Sequence, residues 1–82
     1  MRLDKYLKVS RLIKRRTVAN EACDSGHLTV NGRVAKASYD VKEGDIVEIS
    51  FGEKVLRVKV VNVKEHVSKS EATELYVVEN QN

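Results

Sequence analysis

Residues 14–34 read Lys-Arg-Arg-Thr-Val-Ala-Asn-Glu-Ala-Cys-Asp-Ser-Gly-His-Leu-Thr-Val-Asn-Gly-Arg-Val, and this short run holds a helix, its stop and a hairpin. A helix starting at Arg15 or Arg16 and ending at Ser25 gathers Ala19, Ala22 and Cys23 on one face. Small residues there let another helix approach closely, and Gly26 supplies the left-handed residue that stops the helix. Beyond it, Leu28, Val30 and Val34 alternate with polar neighbours around Asn31-Gly32. That dipeptide suits a type I′ turn, whose two central residues both need positive φ, so a tight surface hairpin is expected.

Toward the N-terminus, Leu3, Tyr6 and Leu7 stand at i, i+3, i+4 spacing and form an apolar stripe if residues 2–10 are helical. Lys5 and Lys8 fall on the other side, and Asp4 is spaced to support Lys8 as an i,i+4 pair. Leu12 and Ile13 interrupt the charges as the plug that docks the first helix on the second. Toward the C-terminus the pattern becomes β: a turn at Gly44-Asp45, a strand over 46–51, a turn at Gly52-Glu53 and a long strand over 55–64. Val47, Ile49 and Phe51 share one face, as do Leu56, Val58 and Val60. Residues 65–71 read as a loop, Ser70 to Glu74 as a helical turn and Leu75 to Val78 as a last strand. The expected fold is α+β, two short N-terminal helices on a small twisted antiparallel sheet. Residues 1–82 form one domain, with a core motif over about 1–50 and a β-rich extension over about 51–80.

A chain of 82 residues buries only about 60% of the surface its unfolded form exposes, which leaves little room for a deep catalytic cleft. No run of 18 apolar residues exists to span a membrane, and the N-terminus alternates charge with apolar residues, so a cytoplasmic protein is expected. The single Cys23 rules out an internal disulfide framework. The net charge of +3 hides an asymmetry. Residues 1–36 carry nine cations against three acids, 9 − 3 = +6, whereas residues 37–82 carry six against nine, 6 − 9 = −3. A segregated basic half suggests a polyanionic partner such as nucleic acid.

Metal binding needs three or four converging ligands, and Cys23, His27 and His66 lack the paired spacing of a zinc site. Cys23 reads as a buried, inert thiol and His27 as a turn residue. No nucleophile with a base and an orienting third group is legible. Gly26 and Gly32 belong to neither nucleotide-loop template, so neither enzyme activity nor a cofactor is expected.

The set Arg16, Ala19, Ala22, Cys23, Gly26, Leu28, Val30, Asn31, Gly32 and Val34, with Gly44-Asp45 after it, resembles the RNA-binding domain first described in small-subunit ribosomal protein S-four. That resemblance implies two helices against a small antiparallel sheet, with RNA along the helices and the hairpin. The opening Met-Arg-Leu-Asp-Lys-Tyr-Leu and the later Ser-Glu-Ala-Thr-Glu-Leu-Tyr at 70–76 resemble the stand-alone, heat-shock-protein-fifteen-like members, most of all the RqcP-type factors of bacterial ribosome-associated quality control. The resemblance implies binding to large-subunit rRNA and peptidyl-tRNA on stalled complexes, and support of alanine tailing alongside the factor RqcH. It also implies a monomer off the ribosome, bound to no membrane. Rescue of free large subunits after heat stress is the alternative within the family, and a protein-interaction adaptor built on the acidic half is the alternative outside it.

Together the basic segment and the resemblance give Arg2, Asp4, Lys5, Lys8, Arg11, Arg15, Arg16 and Asn31 as candidate RNA-binding residues, Asp4 as an orienting partner. Arginine suits the task because its planar fork can grip one phosphate twice. Arg16 has a structural alternative, its stem covering the Tyr6 and Leu7 region. Asn31 has its turn role first. Arg15 stands where related sequences often have a capping Ser or Thr, and is either a solvated charge or an extra phosphate ligand. With few aromatics beside the cations, recognition of folded RNA shape is favoured over base stacking.

Overall fold

In the computed structural model, residues 1–79 are described; positions 80–82, the end of the expected domain, lie outside the described residues. Two helices, α1 (Leu3–Val9) and α2 (Arg16–Asp24), precede five strands: β1 (Leu28–Val30), β2 (Arg33–Val34), β3 (Ile46–Phe51), β4 (Lys54–Val60) and β5 (Tyr76–Val78). A 3₁₀ turn, Ala72–Glu74, lies just before β5. The strands form one antiparallel sheet in the order β2-β1-β3-β4-β5. This is the α+β arrangement the sequence predicts.

Both helices bury the stripe their spacing selects. Leu3, Tyr6 and Leu7 of α1 are fully buried against Ala19 and Cys23 of α2 and against Leu28, Val47, Ile49, Val58 and Val60 of the sheet. Each large apolar side chain so removed from water contributes about 1.5–3 kcal/mol. Ile13 is buried too and Leu12 packs on the core's rim, so the link between the helices acts as the plug. Gly26 sits at φ +78, directly after the capping Ser25, and Asn31 and Gly32 take φ 52 and 85 as a type I′ turn requires.

Three expectations are corrected. Asp4 does not support Lys8: its carboxylate is buried and turned toward Arg2, Arg16 and Asn20, since it lies at the α1–α2 contact and not on the solvent side. β4 ends at Val60, short of residue 64, because β3 begins at Ile46, opposite Lys59, and offers no further partner; Val61 and Asn62 donate instead to the Leu75 carbonyl. Val34 is exposed although it alternates with Leu28 and Val30, because the two-residue turn sets it opposite outward-facing Thr29. Phe51 keeps the parity of Val47 and Ile49, but stands past the core's edge at the β3–β4 turn and is half exposed.

The N-terminus and the segment before β5 are bound into this frame. Residues 2 and 40 form an isolated antiparallel bridge, flanked by bonds from the Leu3 amide to the Tyr39 carbonyl and from the Val41 amide to the Met1 carbonyl. The buried Tyr6 hydroxyl donates to the Leu75 carbonyl at 2.7 Å and so fastens α1 to the segment that begins β5.

Candidate RNA interface

The first turns of α1 and α2 meet on a single carboxylate. Asp4 lies in the first turn of α1, where it accepts the Lys5 backbone N–H at 2.8 Å, satisfying one of the amides a helix start leaves unpaired. Arg2, the residue capping α1, donates from Nε to Asp4 Oδ1 at 3.2 Å and from Nη2 to Oδ2 at 3.4 Å. From the start of α2, Arg16 Nε stands 3.4 Å from Oδ2, and Asn20, one turn on, donates to Oδ2 at 3.3 Å. Only 3% of the Asp4 side chain is exposed, against 51% of Arg2 and 47% of Arg16.

Physically this arrangement holds two cationic forks in place around one buried carboxylate. Burial alone would push the Asp4 carboxyl upward, but the hydrogen bonds from Arg2, Asn20 and Arg16 outweigh it and hold the group below its ordinary value. The ionised carboxylate fixes one edge of each guanidinium, and each fork has five N–H donors, so donors are left for solvent or a phosphate. Two half-exposed cations against one buried anion leave the cluster net positive. A shallow recess of about 390 Å³ beside it is lined by Asp4, Arg16, Thr17, Asn20 and Glu21.

Arg15 occupies the N-cap of α2 with no side-chain capping bond, as its lack of a suitable oxygen predicts. The helix start therefore keeps free amide donors beside two arginines. Among the described residues, Lys8, Arg11, Lys14 and Arg15 are exposed and enter no ion pair. Lys5 is different: its ammonium is paired with Glu65 at 3.1 Å.

Asn31 is set apart from this cluster by its bonding. Its Nδ2 donates to Asp45 Oδ1 at 3.1 Å, and its Oδ1 accepts the Ile46 amide at 2.9 Å. Asp45 also accepts from the Tyr39 hydroxyl at 2.9 Å and from the Lys42 amide at 3.0 Å, so the hairpin turn is tied to the start of β3 through one buried carboxylate. Cys23 is buried, and its burial, with the nearby Asp4 and Asp24 carboxylates, pushes the thiol up to about 11, which leaves it protonated and unreactive at neutral pH.

Sequence reasoning missed Asn20, Lys14 and Asp45. Asn20 was open to discovery as the residue one helical turn after Arg16; Lys14 belongs to the basic run itself. Asp45 gave only a turn signal, and nothing in its spacing from Asn31 announced the bond between them.

Comparison with known proteins finds a match to the S4 domain over residues 1–47. The chain is 60% identical over 81 residues to the RQC P-site tRNA stabilizing factor of Halalkalibacterium halodurans, covering 99% of this chain and 92% of that protein. It is 56% identical over 78 residues to the protein of the same name from Streptococcus pneumoniae, covering 95% and 89%. Among solved structures, Heat Shock Protein 15 of Vibrio cholerae superposes with a TM-score of 0.88 at 28% identity, covering 96% of this chain and 81% of that one.

Proposed function

The chain belongs to the S4-domain family and, within it, to the RQC P-site tRNA stabilizing factors, and from that premise we propose that it is a non-enzymatic RNA-binding factor of ribosome-associated quality control. It binds large-subunit rRNA and holds peptidyl-tRNA on stalled complexes in the cytoplasm, and it supports alanine tailing of the nascent chain alongside RqcH. The observation that carries the reading is the buried Asp4 carboxylate, which holds Arg2 and Arg16 half exposed in fixed orientation. Preorganised forks lose less freedom on gripping a phosphate than solvated ones. A rigid pair of forks reads the spacing of phosphates, which suits recognition of folded RNA shape.

The test is a sedimentation assay with purified large subunits carrying P-site tRNA. With about five phosphates contacted, raising salt from about 50 to 200 mM weakens binding by roughly 10² to 10³, and Arg16→Ala lowers association at least roughly tenfold at fixed salt. Binding that ignores both salt and Arg16 refutes the reading. A second reading, rescue of free large subunits carrying nascent chains after heat stress, draws on the likeness to Heat Shock Protein 15. Alanine tails on stalled chains, measured in a deletion strain, separate the two: their loss supports the first and their persistence the second.

A further inference from the structure

A groove of about 420 Å³ opens at the C-terminal end of α1, one helical turn or more from the Asp4 cluster, between that end of the helix and the loop preceding the 3₁₀ turn. Lys8, Arg11 and Lys14 line one side, and Glu65, His66 and Val67 the other. Glu65 is the groove's acid, and Lys5 masks it at 3.1 Å, so three cations face the space without a partner among the described residues. Arg11 is held there in an unusual way. It takes φ 63, the left-handed conformation that ends α1, where Gly or Asn would be the unstrained choice. The turn is fixed around it by bonds from the Ser10 Oγ and the Ile13 amide to the Leu7 carbonyl and from the Arg11 amide to the Lys8 carbonyl.

We propose that this groove is a second phosphodiester-binding site, in which Lys8, Arg11 and Lys14 hold a backbone segment of RNA other than the one on Arg2 and Arg16, with the 65–67 loop as its far wall. The proposal rests on the RNA-binding reading above and extends the interface to residues 65–67, outside the S4 match at 1–47. Val67 packs against the core, so the wall is fixed in place. His66 adds a ring able to hydrogen-bond a phosphate or a ribose hydroxyl.

The experiment titrates the full chain against a labelled tRNA transcript by fluorescence anisotropy across a salt series. Lys8→Gln/Lys14→Gln removes two exposed, unpaired ammonium groups and is expected to flatten the slope of log K against log salt by about two and to weaken binding roughly 10- to 60-fold at about 0.1 M salt. Arg16→Ala is measured beside it, and Lys54→Gln/Lys59→Gln, two exposed lysines of β4, controls for net charge. Weakening by the groove variant and by Arg16→Ala, with the β4 variant near wild type, supports the second site. Weakening by Arg16→Ala alone, or equal weakening by the β4 pair, overturns it and leaves the first site standing. If neither Arg16→Ala nor the groove variant weakens binding, the RNA-binding reading itself fails. Thermal unfolding of each variant shows that the fold is intact.

Discussion

Replacing Asp4 with Asn is the most discriminating perturbation, because it sets preorganisation against net charge. Both carboxylate oxygens face only donors: the Arg2 and Arg16 guanidiniums, the Asn20 amide and the Lys5 backbone N–H. An Asn side chain must turn its own NH₂ toward some of them. A hydrogen bond to a charged group contributes about 1.5–3 kcal/mol, and since both arginines are half exposed and can turn to water, the net loss is about 2 kcal/mol, near one such bond. For a domain of this size that lowers Tm by about 10 °C. Binding to tRNA then weakens roughly tenfold, because two freed arginine side chains must be ordered on contact at about 0.5–1.5 kcal/mol each. Net charge predicts the opposite, as the variant is one unit more positive. The pH dependence follows from the lowered Asp4 pKa, whose ordinary value is 3.8. A depressed carboxyl stabilises the fold above that ordinary value, and the contribution is lost as pH falls through the folded value. The gap in Tm between wild type and variant therefore stays level from neutral pH down to the ordinary carboxylate range and narrows below it. Calorimetry and anisotropy titrations check each arm; a variant that binds RNA more tightly, or unfolds at the wild-type temperature, refutes the reasoning.

Tyr6→Phe removes the 2.7 Å bond to the Leu75 carbonyl, but that oxygen still accepts from the Val61 and Asn62 amides, so chemical denaturation should show a loss of only about 1 kcal/mol. Asn31→Ala loses both side-chain bonds and places a β-carbon at φ 52, whereas Asn31→Gly loses the bonds alone; the Ala variant should be the less stable by about 1 kcal/mol. Cys23, with its thiol pushed up to about 11 inside the core, should resist alkylation at neutral pH and react only on unfolding, read by mass spectrometry. Glu65→Gln releases Lys5 and removes the groove's acid, so RNA affinity at low salt should rise severalfold; unchanged affinity would show that Lys5 and Glu65 stand away from the bound RNA.

Local chemistry carried most of the fold into the sequence. The Leu3, Tyr6, Leu7 stripe, the Gly26 stop and the Asn31-Gly32 turn each follow from a spacing or a φ requirement acting over a few residues, and the β3 strand is bounded by turn residues on both sides. What was hidden depends on distant partners. Where β4 stops is set by where β3 begins, and the outward turn of Val34 by the parity of the hairpin. Of the interface, the basic residues were visible but their pairing was not. Asp4 reads equally well as a partner for Lys8 until α2 is docked, and only then does its burial beside Arg16 and Asn20 decide the matter.

The same distinction between composition and placement bears on the acidic second half. Five of its nine carboxylates are engaged among the described residues: Asp40 with the N-terminal ammonium, Asp45 with Asn31 and Tyr39, Glu48 with Thr29 and Arg57, Glu65 with Lys5 and Glu71 with Ser68, while Glu43, Glu53, Glu74 and Glu79 are exposed. The Lys8, Arg11, Lys14 and Arg15 cations of the first half, by contrast, meet no acid among the described residues. An ion pair cancels one charge of each sign and leaves the net charge unchanged, so the basic character of the first half lies in the grouping of these exposed, unpaired cations. Tyr6–Leu75 and Lys5–Glu65 give the β-rich extension a bracing role, in which it fastens α1 and holds the 65–67 loop beside the Lys8, Arg11 and Lys14 cations proposed to meet RNA.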